Sequence, residues 1–208
     1  MSIVIVDYGM GNIASIRNML AKLGHSATLT ADPDVAFQAE RLILPGVGAF
    51  DQAVRALAES GLDRAVRARF EESDNPLLGV CLGMQLLTEG SEEGQLPGLG
   101  LVPGVARRFP KQYEGRPLRV PHMGWGEVRP RSSSSPLPSL GLDARYYFVH
   151  SYYVETTDPE HVLGTTKYGL TFASAVQRGS VVGVQFHPEK SHRHGMQLLK
   201  DFVNMKVV

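Results

Sequence analysis

Short apolar runs alternating with stretches of helical period constrain this chain more than any other feature. Ile3 to Val6 reads as a buried strand. Ile13, Ile16, Leu20 and Leu23 then recur at three- and four-residue spacing, which gives a helix one apolar face, and Gly24 is placed to end it. Ser26 to Thr30 and Leu42 to Leu44 repeat the strand pattern, Phe50, Val54 and Leu57 mark a second helix, and Leu77 to Val80 forms a fourth strand. Such alternation builds βαβ units, whose crossovers leave the strands parallel and cover both faces of the sheet.

Beyond Gly98 the texture turns to short β-rich pieces: Leu118 to Val120, Tyr146 to Val149, Tyr152 to Val154, Phe172 to Val176 and Val181 to Phe186. Arg178-Gly179-Ser180 predicts a hairpin between the last two. Arg131 to Pro138, with Ser132 to Ser135 in a row, has little apolar surface to bury and reads as a mobile loop. Met196, Leu199, Phe202 and Val203 share one face of a final helix that docks back on the sheet. The prediction is an α/β fold: a single three-layer domain spanning residues 1–208, with a mainly parallel central sheet and added β-hairpin strands in its second half.

Lys plus Arg and Asp plus Glu number 21 each, so no net charge draws the chain to nucleic acid or to an anionic membrane. No apolar run approaches the roughly 18 residues of a membrane span, and the N-terminus enters a strand without a signal-peptide pattern, which predicts a cytoplasmic protein. The one cysteine cannot form an internal disulfide. A lone cysteine is by default a small core hydrophobe.

Its surroundings argue otherwise. Gly79-Val80-Cys81-Leu82-Gly83 has the form glycine-x-nucleophile-x-glycine, after a predicted strand and before a helix-like run from Met84 to Thr88. A tight turn there forces strained backbone angles, and glycines on either side avoid clashes with neighbouring strands. A nucleophilic thiol needs a base and something to orient it. Phe186-His187-Pro188-Glu189 follows an apolar strand; the proline biases His187 to an extended conformation, in which residues two apart point the same way, so Glu189 can fix the imidazole. By itself this segment is a strand end with a solvated carboxylate; beside an elbow it reads as the rest of a triad. For an oxyanion hole the candidates are the N–H of Leu82 and that of Val47, within Pro45-Gly46-Val47-Gly48.

Leu44 to Gly48, the Cys81 elbow extended by Met84-Gln85, and the His187-Pro188-Glu189 ending together resemble a class I, or triad, glutamine amidotransferase. Asp7 to Asn12, Pro121 to Trp125, Val149 to Tyr152 and His187 to Ser191 narrow the resemblance to the glutaminase subunits of imidazole glycerol phosphate synthases. It extends over nearly the whole chain. It implies a flavodoxin-like architecture, Cys81, His187 and Glu189 as catalytic residues, and Gly48, Gln85, Ser151 and Tyr152 as the glutamine site. It also implies a heterodimer with a (β/α)8 cyclase, met by Met10, Asn12, Met123, Trp125, Tyr147 and Lys190, and no cofactor. The Gly46-Val47 peptide is expected to reorient, so that hydrolysis is low until partner and acceptor bind. Trp125 reads equally as a core residue, and Gly126 stands where the family commonly carries Asn.

Three other readings compete. Gly9-Met10-Gly11-Asn12-Ile13-Ala14 satisfies the dinucleotide fingerprint G-x-G-x-x-A, with Asp32 near the end of the second strand, but this leaves the elbow unexplained. A catalytically silent binding module leaves three filled triad positions without a purpose. His187, His192 and His194 lack a metal-ligand spacing, and the last two fall at the solvated start of the final helix. Within the family, glutaminases serving anthranilate, guanylate or pyridoxal phosphate synthesis share the triad.

Overall fold

The computed structural model describes residues 1–132, 135–141 and 143–206; Ser133 and Ser134, in the loop expected at Ser132 to Ser135, lie outside the described residues. The first half runs β1 (Ile3–Val6), α1 (Ile13–Lys22), β2 (Ala27–Thr30), α2 (Pro33–Gln38), β3 (Arg41–Gly46), α3 (Phe50–Ser60), α4 (Leu62–Glu72), β4 (Leu77–Cys81) and α5 (Leu82–Leu86). Short strands follow: β5 (Gly90–Ser91), β6 (Gly104–Arg108), β7 (Gln112–Tyr113), β8 (Arg116–Pro117), β9 (His122–Glu127) and β10 (Arg129–Pro130). The chain closes with β11 (Arg145–His150), β12 (Tyr152–Thr156), β13 (Val162–Tyr168), β14 (Leu170–Arg178), β15 (Val181–Val184) and α6 (His192–Val203).

The main sheet runs β2-β1-β3-β4-β15-β14-β12-β6-β5, with β13 also on β14 and β10 on β13. Its first five strands are parallel, and β14, β12 and β6 continue it antiparallel. Alternation along a strand sends successive side chains to opposite faces, which separates two cores. Ile3, Ile5, Ile43 and Val182 meet Ile16 and Leu20 of α1 and Leu199 and Phe202 of α6. Val4, Val6, Leu42 and Leu44 meet Ala36 of α2, Phe50 and Leu57 of α3, and Val66 of α4. Each of the Val, Leu, Ile and Phe side chains among them contributes about 1.5–3 kcal/mol on burial, so both faces need their helices.

Local signals set the helix ends. The Asp32 carboxylate accepts the Asp34 N–H at 2.9 Å and Pro33 opens α2 behind it, so the acid in the competing dinucleotide reading is a helix cap. Gly61, at φ +75°, turns α3 directly into α4. The strand expected at Leu118 to Val120 does not form. Pro117 and Pro121 flank it without amide donors, and the chain instead makes the β7–β8 hairpin just upstream. β9, β13, α2 and α4 have no counterpart in the sequence reading.

Where β4 passes into α5, the helix lies close on β3: a Cβ on Gly83 would stand 1.9 Å from the Leu44 carbonyl oxygen. Gly83→Ala is therefore expected to cost about 1–3 kcal/mol, lowering the melting temperature by roughly 2–12 °C. A thermal melt that matches the parent chain would show that α5 yields freely.

Candidate active site

Cys81 is the last residue of β4 and the residue from which α5 starts, with φ 56° and ψ −110°. A positive φ at a side-chain-bearing residue is strained, and the strain here sets the thiol at the C-terminal edge of the parallel sheet. Both flanking glycines are sterically required. A Cβ on Gly79 would meet the Gly83 carbonyl oxygen at 2.8 Å, and Gly83 has no room beside Leu44. Cys81 pairs in register with Gly46, at the end of β3, while β15 runs alongside β4 and leads into Gln185-Phe186-His187.

His187 Nδ1 and Glu189 Oε1 are 2.8 Å apart, and both side chains are almost fully enclosed, at 2% and 1% exposure. The His187 backbone is fixed from the neighbouring strand. Its N–H donates to the Tyr147 carbonyl at 2.9 Å, its carbonyl accepts from Ser191 Oγ, and Ser191 Oγ accepts the Tyr147 N–H. Burial alone would lower the pKa of His187, but the neighbouring Cys81 sulfur and the Glu189 carboxylate raise it to about 10. The ring nitrogen not engaged by Glu189, Nε2, is buried and has no partner of normal hydrogen-bond geometry among the described residues.

A cavity of about 810 Å³ opens over Cys81 and His187, lined also by Gly11, Asn12, Val47, Gly48, Leu82, Gln85, Ser151, Tyr152 and Lys190. The expected oxyanion and substrate residues are therefore brought together around the thiol. Glu189 lies behind His187 and is not part of the lining. The glycine-rich turn of the dinucleotide fingerprint faces the same cavity, with Gly11 packed against Pro45. His192 and His194 diverge from His187: His192 stacks on Trp125 at 5.7 Å between ring centres, and His194 approaches Tyr146 edge-on.

Of the residues expected to face a partner, Met123, Trp125, Tyr147 and Lys190 lie on or beside the β9–β11 ribbon, whose two faces differ. His122, Tyr146, Phe148 and His150 point inward, whereas Met123 and Trp125, at 62% and 43% exposure, point outward. Trp125 is thus a surface residue, edge-on to Tyr147, over whose ring Lys190 Nζ lies at 5.9 Å. Met10 and Asn12 sit in the turn before α1, partly buried. Gly126 belongs to the inward set: a Cβ there would meet Phe148 at 3.0 Å, so the position faces the core.

Several polar groups escaped the sequence reading. Tyr8 Oη donates to the Pro45 carbonyl at 2.7 Å beneath the Gly46 turn. Inside the ribbon, His122 Nδ1 and His150 Nε2 are 3.1 Å apart, and His150 Nδ1 lies 2.7 Å from the Tyr152 carbonyl. Gln85 Nε2 donates to that same carbonyl at 3.3 Å and to Gln185 Oε1 at 3.2 Å, and Gln185 Nε2 lies 3.8 Å from Cys81 Sγ. Only the spacing of Gln185 from His187, two residues in an extended segment, signalled that it shares their side.

The sequence matches the glutamine amidotransferase class-I family over residues 4–205. It is 46% identical to the imidazole glycerol phosphate synthase subunit HisH 2 of Methanococcus maripaludis over 201 residues, 97% of this chain and 98% of that one. The corresponding HisH subunit of Moorella thermoacetica is 47% identical, across 96% of this chain and 93% of its own. A crystal structure of a glutamine amidotransferase superposes with a TM-score of 0.74 at 20% identity, covering 98% of both chains. That likeness bears on the fold.

The histidine pair has a consequence for stability. Burial lowers the pKa of His150 to about 3, against the raising effect of its Tyr152 carbonyl contact, and lowers His122 to about 4, both from 6.5. Unfolded chains take up protons on these rings below pH 6.5 and the folded protein does not, so stability is complete above that value and lost as the pH falls toward 4. The urea midpoint should fall across this window. His122→Asn, whose amide can still donate to His150, should flatten the slope by about 1.4 kcal/mol per pH unit; an unchanged slope would exclude His122 as its source.

Proposed function

The chain belongs to the class I glutamine amidotransferase family, and we infer that it is the glutaminase subunit of an imidazole glycerol phosphate synthase in histidine biosynthesis, hydrolysing glutamine to glutamate and ammonia. The observation that carries this reading is a strained thiol on a strand-to-helix elbow that shares one cavity with a buried His–Glu pair, in a chain nearly half identical to such subunits along its full length.

In the reaction we assign, the Cys81 thiolate attacks the side-chain amide carbon of glutamine. The oxyanion receives N–H donors from Leu82, at the start of α5, and from Val47, beyond the end of β3. His187, held as an imidazolium by Glu189, protonates the departing nitrogen, and ammonia leaves a thioester. Water deprotonated by His187 then attacks the thioester carbon, and the thiolate departs as glutamate is released. Gly48, Gln85, Ser151 and Tyr152 hold the substrate, a role supported by their place in the cavity lining.

The ammonia goes to a cyclase subunit with a (β/α)8 barrel, which uses it on a phosphoribulosyl-formimino aminoimidazole carboxamide ribonucleotide. Imidazole glycerol phosphate and aminoimidazole carboxamide ribonucleotide are the products. Met10, Asn12, Met123, Trp125, Tyr147 and Lys190 form the docking face in this assignment, which is supported by the exposed Met–Trp pair on β9. We place the complex in the cytoplasm, in keeping with an enzyme that works through a free thiol.

Cys81→Ala is expected to reduce glutamine hydrolysis by more than about a thousandfold and to abolish labelling by diazo-oxo-norleucine, read by mass spectrometry. Labelling that persists would move the nucleophile elsewhere. Glutaminase activity of the parent chain should be low alone and rise with the cyclase and its nucleotide ligand; full turnover by the isolated chain contradicts the dependence on a partner. Trp125→Ala should weaken cyclase binding by roughly 30-fold, about 2 kcal/mol, measured by titration calorimetry, and an unchanged affinity would take Trp125 out of the docking face.

A further inference from the structure

We infer that Gln185 is a catalytic hydrogen-bond donor to the Cys81 sulfur, its amide turned toward the thiol by buried hydrogen bonds that lead from the Tyr152 carbonyl through Gln85. The inference rests on Cys81 being the nucleophile. Its starting point is one atom whose role is not open to choice: the Tyr152 carbonyl oxygen can only accept.

His150 Nδ1, 2.7 Å from that oxygen, must therefore carry a hydrogen. A buried neutral imidazole with Nδ1–H presents a lone pair at Nε2, so His122 Nδ1, 3.1 Å away, must donate to it. The same carbonyl takes its second hydrogen bond, at 3.3 Å, from the Gln85 side chain, which must turn its nitrogen that way. Gln85 Nε2 also reaches Gln185 at 3.2 Å, so Gln185 must answer with its oxygen. In a planar amide the nitrogen then lies on the other side, and Gln185 Nε2 is directed at Cys81 Sγ, 3.8 Å away.

Reversing the Gln185 amide would set its N–H groups against those of Gln85 and its oxygen against a thiolate sulfur, unfavourable at both ends of the reactive form. The side chain has little freedom to escape this. Gln185 is fully buried, and its backbone N–H donates to the Ser174 carbonyl at 2.9 Å.

An N–H aimed at sulfur favours thiolate over thiol, because hydrogen bonds to an ionised acceptor are the stronger ones. The gain applies at two points of the cycle. It raises the fraction of reactive thiolate before attack. It also stabilises the sulfur when the thioester carbon–sulfur bond breaks and the electron pair returns to Cys81.

The test uses the full chain. In Gln185→Met, Cys81 alkylation by iodoacetamide should shift to higher pH, and kcat for glutamine with the cyclase present should fall roughly tenfold with KM little changed. Gln185→Glu keeps an oxygen toward Gln85 but sets another against the sulfur, and should fall further. A folded Gln185→Met protein, checked by circular dichroism, with the parent's alkylation profile overturns the inference. Should neither variant fold, the unsubstituted protein decides: the nitrogen-15 resonance of the Gln185 side-chain amide should move as Cys81 ionises and stay fixed in Cys81→Ala. A resonance in the parent chain that ignores the thiol's ionisation overturns the inference. Retention of glutaminase activity by Cys81→Ala sinks the proposed function itself, whereas an inactive Cys81→Ala together with a silent Gln185 sinks only the donor.

Discussion

The approach of α5 to β3 governs the architecture around the thiol. With 1.9 Å separating a notional Gly83 Cβ from the Leu44 carbonyl, the helix can lie there only as bare backbone, and β4 can reach it only by a turn that takes Cys81 to φ 56°. A residue held in so unfavourable a conformation needs its surroundings to fix it. β3 and β15 do so in parallel register on either side, and they deliver Val47 and His187 to the same edge. The strain at one residue and the convergence of three strand ends are thus one packing solution.

The parallel half of the sheet was legible because its strands are buried on both faces and therefore apolar without interruption: Ile3 to Val6 and Leu77 to Val80 stand out from their flanks. The antiparallel half was harder. β9 reads His-Met-Gly-Trp-Gly-Glu, in which two inward positions are glycines, so the alternation that marks a half-buried strand has lost its apolar members. α2 is too short to show a period, and its Pro33 looks like a break unless Asp32 is recognised as its cap. The Cys81 and His187 segments could be found because each carries a local constraint, the glycine pair in one and the proline in the other. Tyr8, His122 and Gln185 carry none. Their partners lie tens of residues away, and only tertiary structure brings them together.

The β9–β11 ribbon gives one backbone two environments. Its inner face is a packed set of rings, in which His122 lies between Phe148 and Tyr168 at 4.8 and 4.0 Å between ring centres, with charge suppressed by burial. Its outer face is Met123, Trp125 and Tyr147, beside Lys190. Between them runs the backbone that holds His187 through Tyr147 and Ser191. The ribbon is therefore stiff where it meets the imidazole and open where it meets solvent, and Gly126 serves the first need by making room for Phe148.

The order of strands also bears on how the polypeptide is made. β4 lies between β3, which precedes it closely, and β15, which the ribosome supplies roughly a hundred residues later, a non-local pairing of the kind that closes slowly. One side of β4 stays without its native neighbour until that segment is made. The same late segment brings His187 and Glu189, and α6 after them. During translation the cysteine emerges long before its base, so the nascent chain carries Cys81 without its triad partners until His187 and Glu189 follow.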